Sequence, residues 1–402
     1  MTVGMQGVDS REDFLTRFTA RRADLLTWAV VLGSFVVGYA GYVYRSVFFY
    51  PDSRYYLAMA YLFGGESPED ARLLTEQALV GYDIPVPDTD LLFGWGLVQP
   101  RVILPLLAAI PVRLFGPYGL VGVVLVINIV MTIVFTMILK RRFGNGAAIA
   151  VTLLINTSHY LQAFKGGALT ESLSALWTAL SLILAWKWIQ SRNKWALTGL
   201  AATVIGSAFT RQATFIVAGA FVVAWILGSI KERKNSAWMW PAIVTAVTAL
   251  AAQVFQTIVF PTFSQAGQYM RMTETDNMLD AILATPTMVA GILVDETATF
   301  LRQDVSLLVF ILLAIAAMVI FWRREESHLL LGAVLGVALY NITNGNATQF
   351  RYAVPGLVFY ALAVGLLVAY AAGTISAKKA EFPAVKAASK DETAAQEAVP
   401  AN

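Results

Sequence analysis

Long apolar runs, most of them closed by a cationic loop, recur along the chain. One begins near Leu25 and ends in "GYVYRSVFFY"; the clearest, "GLVGVVLVINIVMTIVFTMIL" over 119–139, ends at Lys140, Arg141 and Arg142. A bilayer core asks for about 20 apolar residues per crossing helix, with every backbone group bonded inside it. The pattern predicts an all-α polytopic membrane protein. Its spans fall over about 25–44, 119–139, 145–163, 168–186, 195–210, 212–230, 238–260, 304–322, 328–345 and 352–372, about ten transmembrane helices by the length rule. The segment "PRVILPLLAAIPVRLFG" over 100–116 is apolar but short, and Pro105, Pro111 and Arg113 interrupt it. It reads as an interfacial helix.

Cationic loops stay in the cytoplasm, which assigns sides. Arg17, Arg21 and Arg22 place residues 1–24 inside. The Lys140 cluster, Lys187 with Arg192 and Lys194, Lys231 with Arg233 and Lys234, Arg323 with Arg324, and Lys378 with Lys379 all follow suit. Both termini are then cytoplasmic, in a plasma (inner) membrane. The transmembrane domain covers 25–372. It has a long first extracytoplasmic loop over 45–118, carrying interfacial helices, and a second over 261–303. The stretch 373–402, rich in Ala, Lys and Glu, reads as a disordered cytoplasmic tail. The first apolar run lacks a small-residue cleavage site and reads as a retained helix.

Composition excludes several classes. Hydrophobic residues make up 57% of the chain, and the net charge of +3 gives no reason to expect nucleic acid as a partner. Without cysteine there is no disulfide or thiolate metal site. His159 and His328 lie too far apart in sequence to suggest a metal centre. No glycine-rich phosphate loop lies in a strand–helix context.

Three cations break the alternation. Lys165 in "QAFKGGALTES", Arg211 in "SAFTRQATF" and Arg351 in "NGNATQFRYAVPG" stand alone at extracytoplasmic helix ends. A cation at that depth needs a partner. A phosphate is one answer, gripped by Arg as a fork and by Lys as a point charge; snorkelling to lipid headgroups is the other. Two acids share their side. Asp52 follows Pro51 and opens "SRYYLAMAYLFGG", where it serves either as a helix cap or as a general base. Glu171 sits in the first turn of a span, where a helix dipole alone would favour it. The remaining acids of the first loop, Glu66, Glu69, Asp70, Asp83, Asp88 and Asp90, read as a solvated face with which Arg54 and Arg101 can pair. Asp276, Asp280, Asp295 and Glu296 in the second loop read as solvent-facing.

The order of "PDSRYYLAMA", an interfacial helix ending "RLFG", a span ending "LKRRFG", then "TESLSALWTALSLILAW" and finally "FRYAVPGLVFYALAVGLL" resembles the C-type glycosyltransferases of the polyprenyl-phosphate-sugar branch. That branch includes the protein mannosyltransferases and the aminoarabinose transferase of lipid A, and the likeness in layout covers roughly 20–372. The resemblance implies transfer of a sugar from a polyprenyl-phosphate donor in the membrane to a cell-envelope acceptor (glycan, lipid or protein) on the extracytoplasmic face. It implies Asp52 as the acidic residue that serves as general base or holds the acceptor, and Arg211, Arg351 and, less securely, Lys165 as donor-phosphate ligands. Glu171, Arg54, Tyr55 and Tyr352 are the supporting candidates. Many relatives carry a second acid directly after the first; here Ser53 follows Asp52, so no cofactor is assigned, and a divalent metal stays open without support from a paired-acid motif. No large soluble C-terminal module follows the last span. Inversion at the sugar carbon would follow from direct attack. The rival expectation is a flippase or transporter of lipid or polyprenyl-linked sugar.

Overall fold

A computed structural model describes residues 8–260, 265–345 and 347–373. The disordered tail expected over 373–402 lies, past its first residue, outside the described residues. Helix α1 (Val8–Arg45) leads into the loop that carries Asp52. Four short helices follow: α2 (Ser53–Phe63), α3 (Pro68–Leu79), α4 (Thr89–Gly94) and α5 (Ile103–Phe115). The bundle continues with α6 (Tyr118–Phe143), α7 (Asn145–Thr157), α8 (His159–Gly166), α9 (Glu171–Ser191), α10 (Lys194–Ala208), α11 (Thr214–Glu232) and α12 (Met239–Val259). Then come α13 (Gln265–Met272), α14 (Met278–Gln303), α15 (Val305–Ile320), α16 (Glu325–Asn344), a 3-10 turn (Arg351–Gly356) and α17 (Leu357–Ala371).

Among the described residues, seven segments are long and apolar enough to cross a membrane: 22–45, 118–143, 171–191, 214–232, 239–259, 278–303 and 351–371. The chain is therefore an α-helical polytopic membrane protein, but the ten expected spans are not matched one for one. The run at 145–163 breaks at Ser158, whose hydroxyl accepts from the Leu161 N–H and starts α8. Helices α10 and α15 have 15 and 16 residues. At 1.5 Å per residue that is about 24 Å, short of the roughly 30 Å hydrocarbon core. Helix α14, within the stretch assigned to the second loop, has the length and composition of a span.

The stretch 100–116 carries the short apolar helix α5. Leu104, Ala108 and Val112 are buried, while Leu106, Ile110 and Leu114 are exposed. The buried stripe packs on α2 and α6.

Ion pairs define the two ends of the bundle. At one end Lys140 pairs with Asp24 at 2.8 Å. There also, Arg142 donates through Nε and Nη2 to Glu326 at 2.9 and 2.7 Å, and Trp186 Nε1 donates to Glu325. The cationic loop ends of α6, α9 and α16 therefore share a side with the N-terminal half of α1. At the opposite end lie Asp52, Glu171, Arg211 and Arg351. Helix α17 runs between these ends through the centre of the bundle; 83% of its segment is buried, against α6, α7, α9, α15 and α16.

Where α11 crosses α16 the backbones nearly touch. A Cβ on Gly332 would lie 2.2 Å from the Gly219 carbonyl oxygen, and one on Gly336 would lie 2.6 Å from the Ile216 Cα. Gly332 and Gly336 form a G-x-x-x-G pair, the small-residue spacing that lets membrane helices approach closely. Gly332→Val is expected to force the two helices apart at a cost of about 1–3 kcal/mol or more, seen as a lower unfolding midpoint in detergent. The same change at Gly122, which has nothing within 4 Å of its Cβ position, is expected to leave the midpoint in place.

Candidate functional site

Four helix ends and one turn build the site. Pro51 and Asp52 precede α2, but the Asp52 carboxylate does not cap it; no cap hydrogen bond is made. Ser53 fixes this corner instead: its hydroxyl donates to the Ala168 carbonyl at 2.8 Å and accepts from the Tyr50 N–H. The carboxylate is thus free to receive Arg351, whose Nη2 lies 2.6 Å from Asp52 Oδ2. Arg351 also donates from Nε to Glu171 Oε1. Below them, Arg211 Nη1 donates to that same Glu171 oxygen at 2.9 Å and reaches Thr170 Oγ1 at 3.5 Å.

The charges are graded by depth. Glu171 is wholly buried and Arg211 is 1% exposed, whereas the Asp52 and Arg351 side chains are 23% and 19% exposed. The buried pair is tolerated because each charge faces its opposite. The faces of Tyr352 and Tyr340 add to this, lying 5.0 and 5.5 Å from the Arg211 guanidinium carbon. Tyr340 and Tyr352 pack against one another with tilted rings.

A third arginine was not singled out in the sequence as part of this site. Arg101 donates to the Tyr56 hydroxyl at 2.9 Å and toward Gln212 Oε1 at 3.4 Å, and its charge is felt at Asp52. Its expected partners were the loop acids, which are occupied differently. Asp88 accepts from the Leu91 N–H as a cap of α4, and Asp70 from the Ser67 hydroxyl. One signal was present: Arg101, like Arg211, is a cation directly before an apolar run. Its position in a long loop made an ordinary solvated role the natural expectation.

The other candidates lie around this core. Arg54 points away from it, donating to the Pro85 carbonyl and the Tyr55 hydroxyl and stacking on the Tyr55 ring. Tyr55 is buried against Trp95. Lys165 is completely buried, and its Nζ has no hydrogen-bond partner. Burial pushes its amine down to about 7, with no acid contributing; it makes no ion pair with Asp52 or Glu171. Glu296 was read as solvent-facing and is not. Its carboxylate accepts from the N–H groups of Thr348 and Phe350. Among the described residues, no three His, Asp or Glu side chains gather as metal ligands.

Burial opposes ionisation of Asp52, but Arg351, then Arg101, and also Arg211 outweigh it and hold the carboxyl at about 2. Three guanidiniums thus face two carboxylates, with one positive charge in excess. Arg101 Nε, Arg211 Nε and Gln212 Nε2 are buried donors with no partner. Chemically the site can hold a monoanion next to a carboxylate. No family model matches the chain, and neither a curated protein nor a solved structure does.

Three outcomes follow. The folded Asp52 carboxyl titrates below its unfolded value of about 3.9. Its contribution to stability is therefore full above that value and is lost as pH falls from about 4 to about 2. Isotope-edited infrared spectra should show the Asp52 carboxylate band persisting to about 2 and, in Arg351→Gln, disappearing at higher pH. Lys165→Met is expected to raise the unfolding midpoint, since it replaces an uncompensated buried amine with an apolar chain. Arg211→Met should lower the midpoint and destabilise the fold by about 3–5 kcal/mol, because Glu171 then loses its deepest partner.

Proposed function

We propose that this chain is a membrane glycosyltransferase that moves a sugar from a polyprenyl-phosphate donor to a cell-envelope acceptor on the extracytoplasmic face. The observation that carries the reading is the shared guanidinium of Arg351, bonded to Asp52 and Glu171 at the mouth of a site with one excess positive charge. A sugar phosphodiester carries one negative charge and offers oxygens to the unpartnered donors of Arg101, Arg211 and Gln212. Polyprenyl anchoring would present that phosphate at a helix end of the bundle, where these residues lie.

In the resting state Asp52 is a poor base, because Arg351 holds its carboxyl at about 2. A donor phosphate competes for Arg351. As the guanidinium turns to the phosphate, Asp52 loses its strongest counter-charge and its proton affinity rises toward the ordinary carboxylate range. It then accepts the proton of the acceptor hydroxyl or amine. The bond between sugar C1 and the phosphate oxygen breaks, with its electron pair leaving on the polyprenyl phosphate. The acceptor atom bonds C1 from the opposite face, so the anomeric centre inverts. The guanidiniums stabilise the charge that grows on the leaving phosphate.

The test compares envelope glycans and lipids by mass spectrometry in cells with the wild-type chain, without it, and with Asp52→Asn. Expected is loss of one sugar from one defined molecule without the chain, restored by wild type and not by Asp52→Asn, although the variant accumulates folded in the membrane. Full restoration by Asp52→Asn removes the catalytic role and leaves transport of a polyprenyl-linked sugar as the reading.

A further inference from the structure

The aim of Arg351 depends on the turn in front of it. Gln349 and Phe350 have φ of 49° and 70°, the left-handed region that side chains other than glycine avoid. Neither is glycine, so something outside the turn must hold it. The Arg351 N–H bonds the Thr348 carbonyl at 2.9 Å, closing the turn from within. From outside, Glu296 Oε1 accepts from the Thr348 N–H at 2.7 Å and Oε2 from the Phe350 N–H at 3.0 Å. Backbone N–H groups converging on one carboxylate make an anion nest, here filled by a side chain of the same protein. The Phe350 ring is buried edge-on to Tyr360, which fixes the far side of the turn.

We infer that Glu296 is a positioning residue that acts through Arg351: its carboxylate holds the Thr348–Phe350 turn in its left-handed form and so directs the Arg351 guanidinium onto Asp52 and Glu171. An arginine with four rotatable side-chain bonds reaches two carboxylates at once only if its Cα is fixed relative to both. Glu171 and Asp52 are fixed by α9 and by the Ser53–Ala168 bond. The Arg351 end is the third point, and Glu296 supplies it from α14, a helix whose segment is only 11% buried. The consequence for catalysis rests on the function proposed above: a slack turn would leave Arg351 unable to pass from Asp52 to a donor phosphate.

The experiment reads the Arg351 side chain directly. In purified, isotope-labelled protein the Arg351 Nε–H resonance is identified by its loss in Arg351→Lys. In Glu296→Gln, and in the shorter Glu296→Asp should the first variant not fold, that resonance is expected to move upfield or broaden. Amide exchange at residues 348–351 should quicken. Undecaprenyl phosphate, used as the probe, should bind about tenfold more weakly, the effect of losing one charge-assisted contact. An unchanged Nε–H resonance, or faster exchange with an unmoved resonance, overturns the inference. If the resonance moves while Arg351→Gln binds undecaprenyl phosphate as tightly as wild type, the inference stands and the donor-phosphate reading fails instead.

Discussion

A guanidinium at the rim of a bilayer is tolerated only while its charge is answered, and Arg351 is answered twice, by Glu171 below and Asp52 above. Much of the local architecture can be traced to that requirement. Glu171 must be buried at the start of α9, so it needs Arg211 as well. Arg211, in the link between α10 and α11, must reach Glu171 at the start of α9, and it does so over the faces of Tyr340 and Tyr352. Asp52 must leave its helix uncapped, and Ser53 takes over the anchoring of that corner. Each substitution of one partner strands another in a poorly solvated place. The cluster thus ties together elements from both halves of the sequence.

The same cluster sets a tension between stability and chemistry. A carboxylate locked by arginine contributes to the fold but is a weak base. The two roles are reconciled if the lock opens only when another anion takes its place. The excess positive charge suits that exchange, because the site then binds its anion without first expelling a proton or an ion.

Some of this was legible in the residues. Arg211 and Arg351 are lone cations where alternation of loop charge calls for none, and Asp52 and Glu171 flank helix starts on the same side. The rule that marks them is energetic, so it carries over from sequence to structure. It does not extend to Arg101, which sits in a long loop where a charge costs nothing in sequence terms, or to Glu296, which was placed in the second loop although α14 has the composition of a span. Only the folding of 45–118 over the bundle buries Arg101, and only the left-handed turn before Arg351 occupies Glu296. The stretches over 145–163, 195–210 and 304–322 were legible as apolar, but a serine cap divides the first and the helices of the other two have 15 and 16 residues, features that hydropathy does not register. Lys165 satisfied the lone-cation rule and yet meets no acid; the rule detects charge at depth without reporting its company.

Helix α17 sits at the centre of the bundle, yet the ribosome makes it after every helix it touches. Its neighbours must therefore leave a slot in the lipid that closes around a late arrival. Arg351 heads that helix, so the charged cluster is assembled last during biogenesis. Until then Asp52 lacks its principal counter-ion.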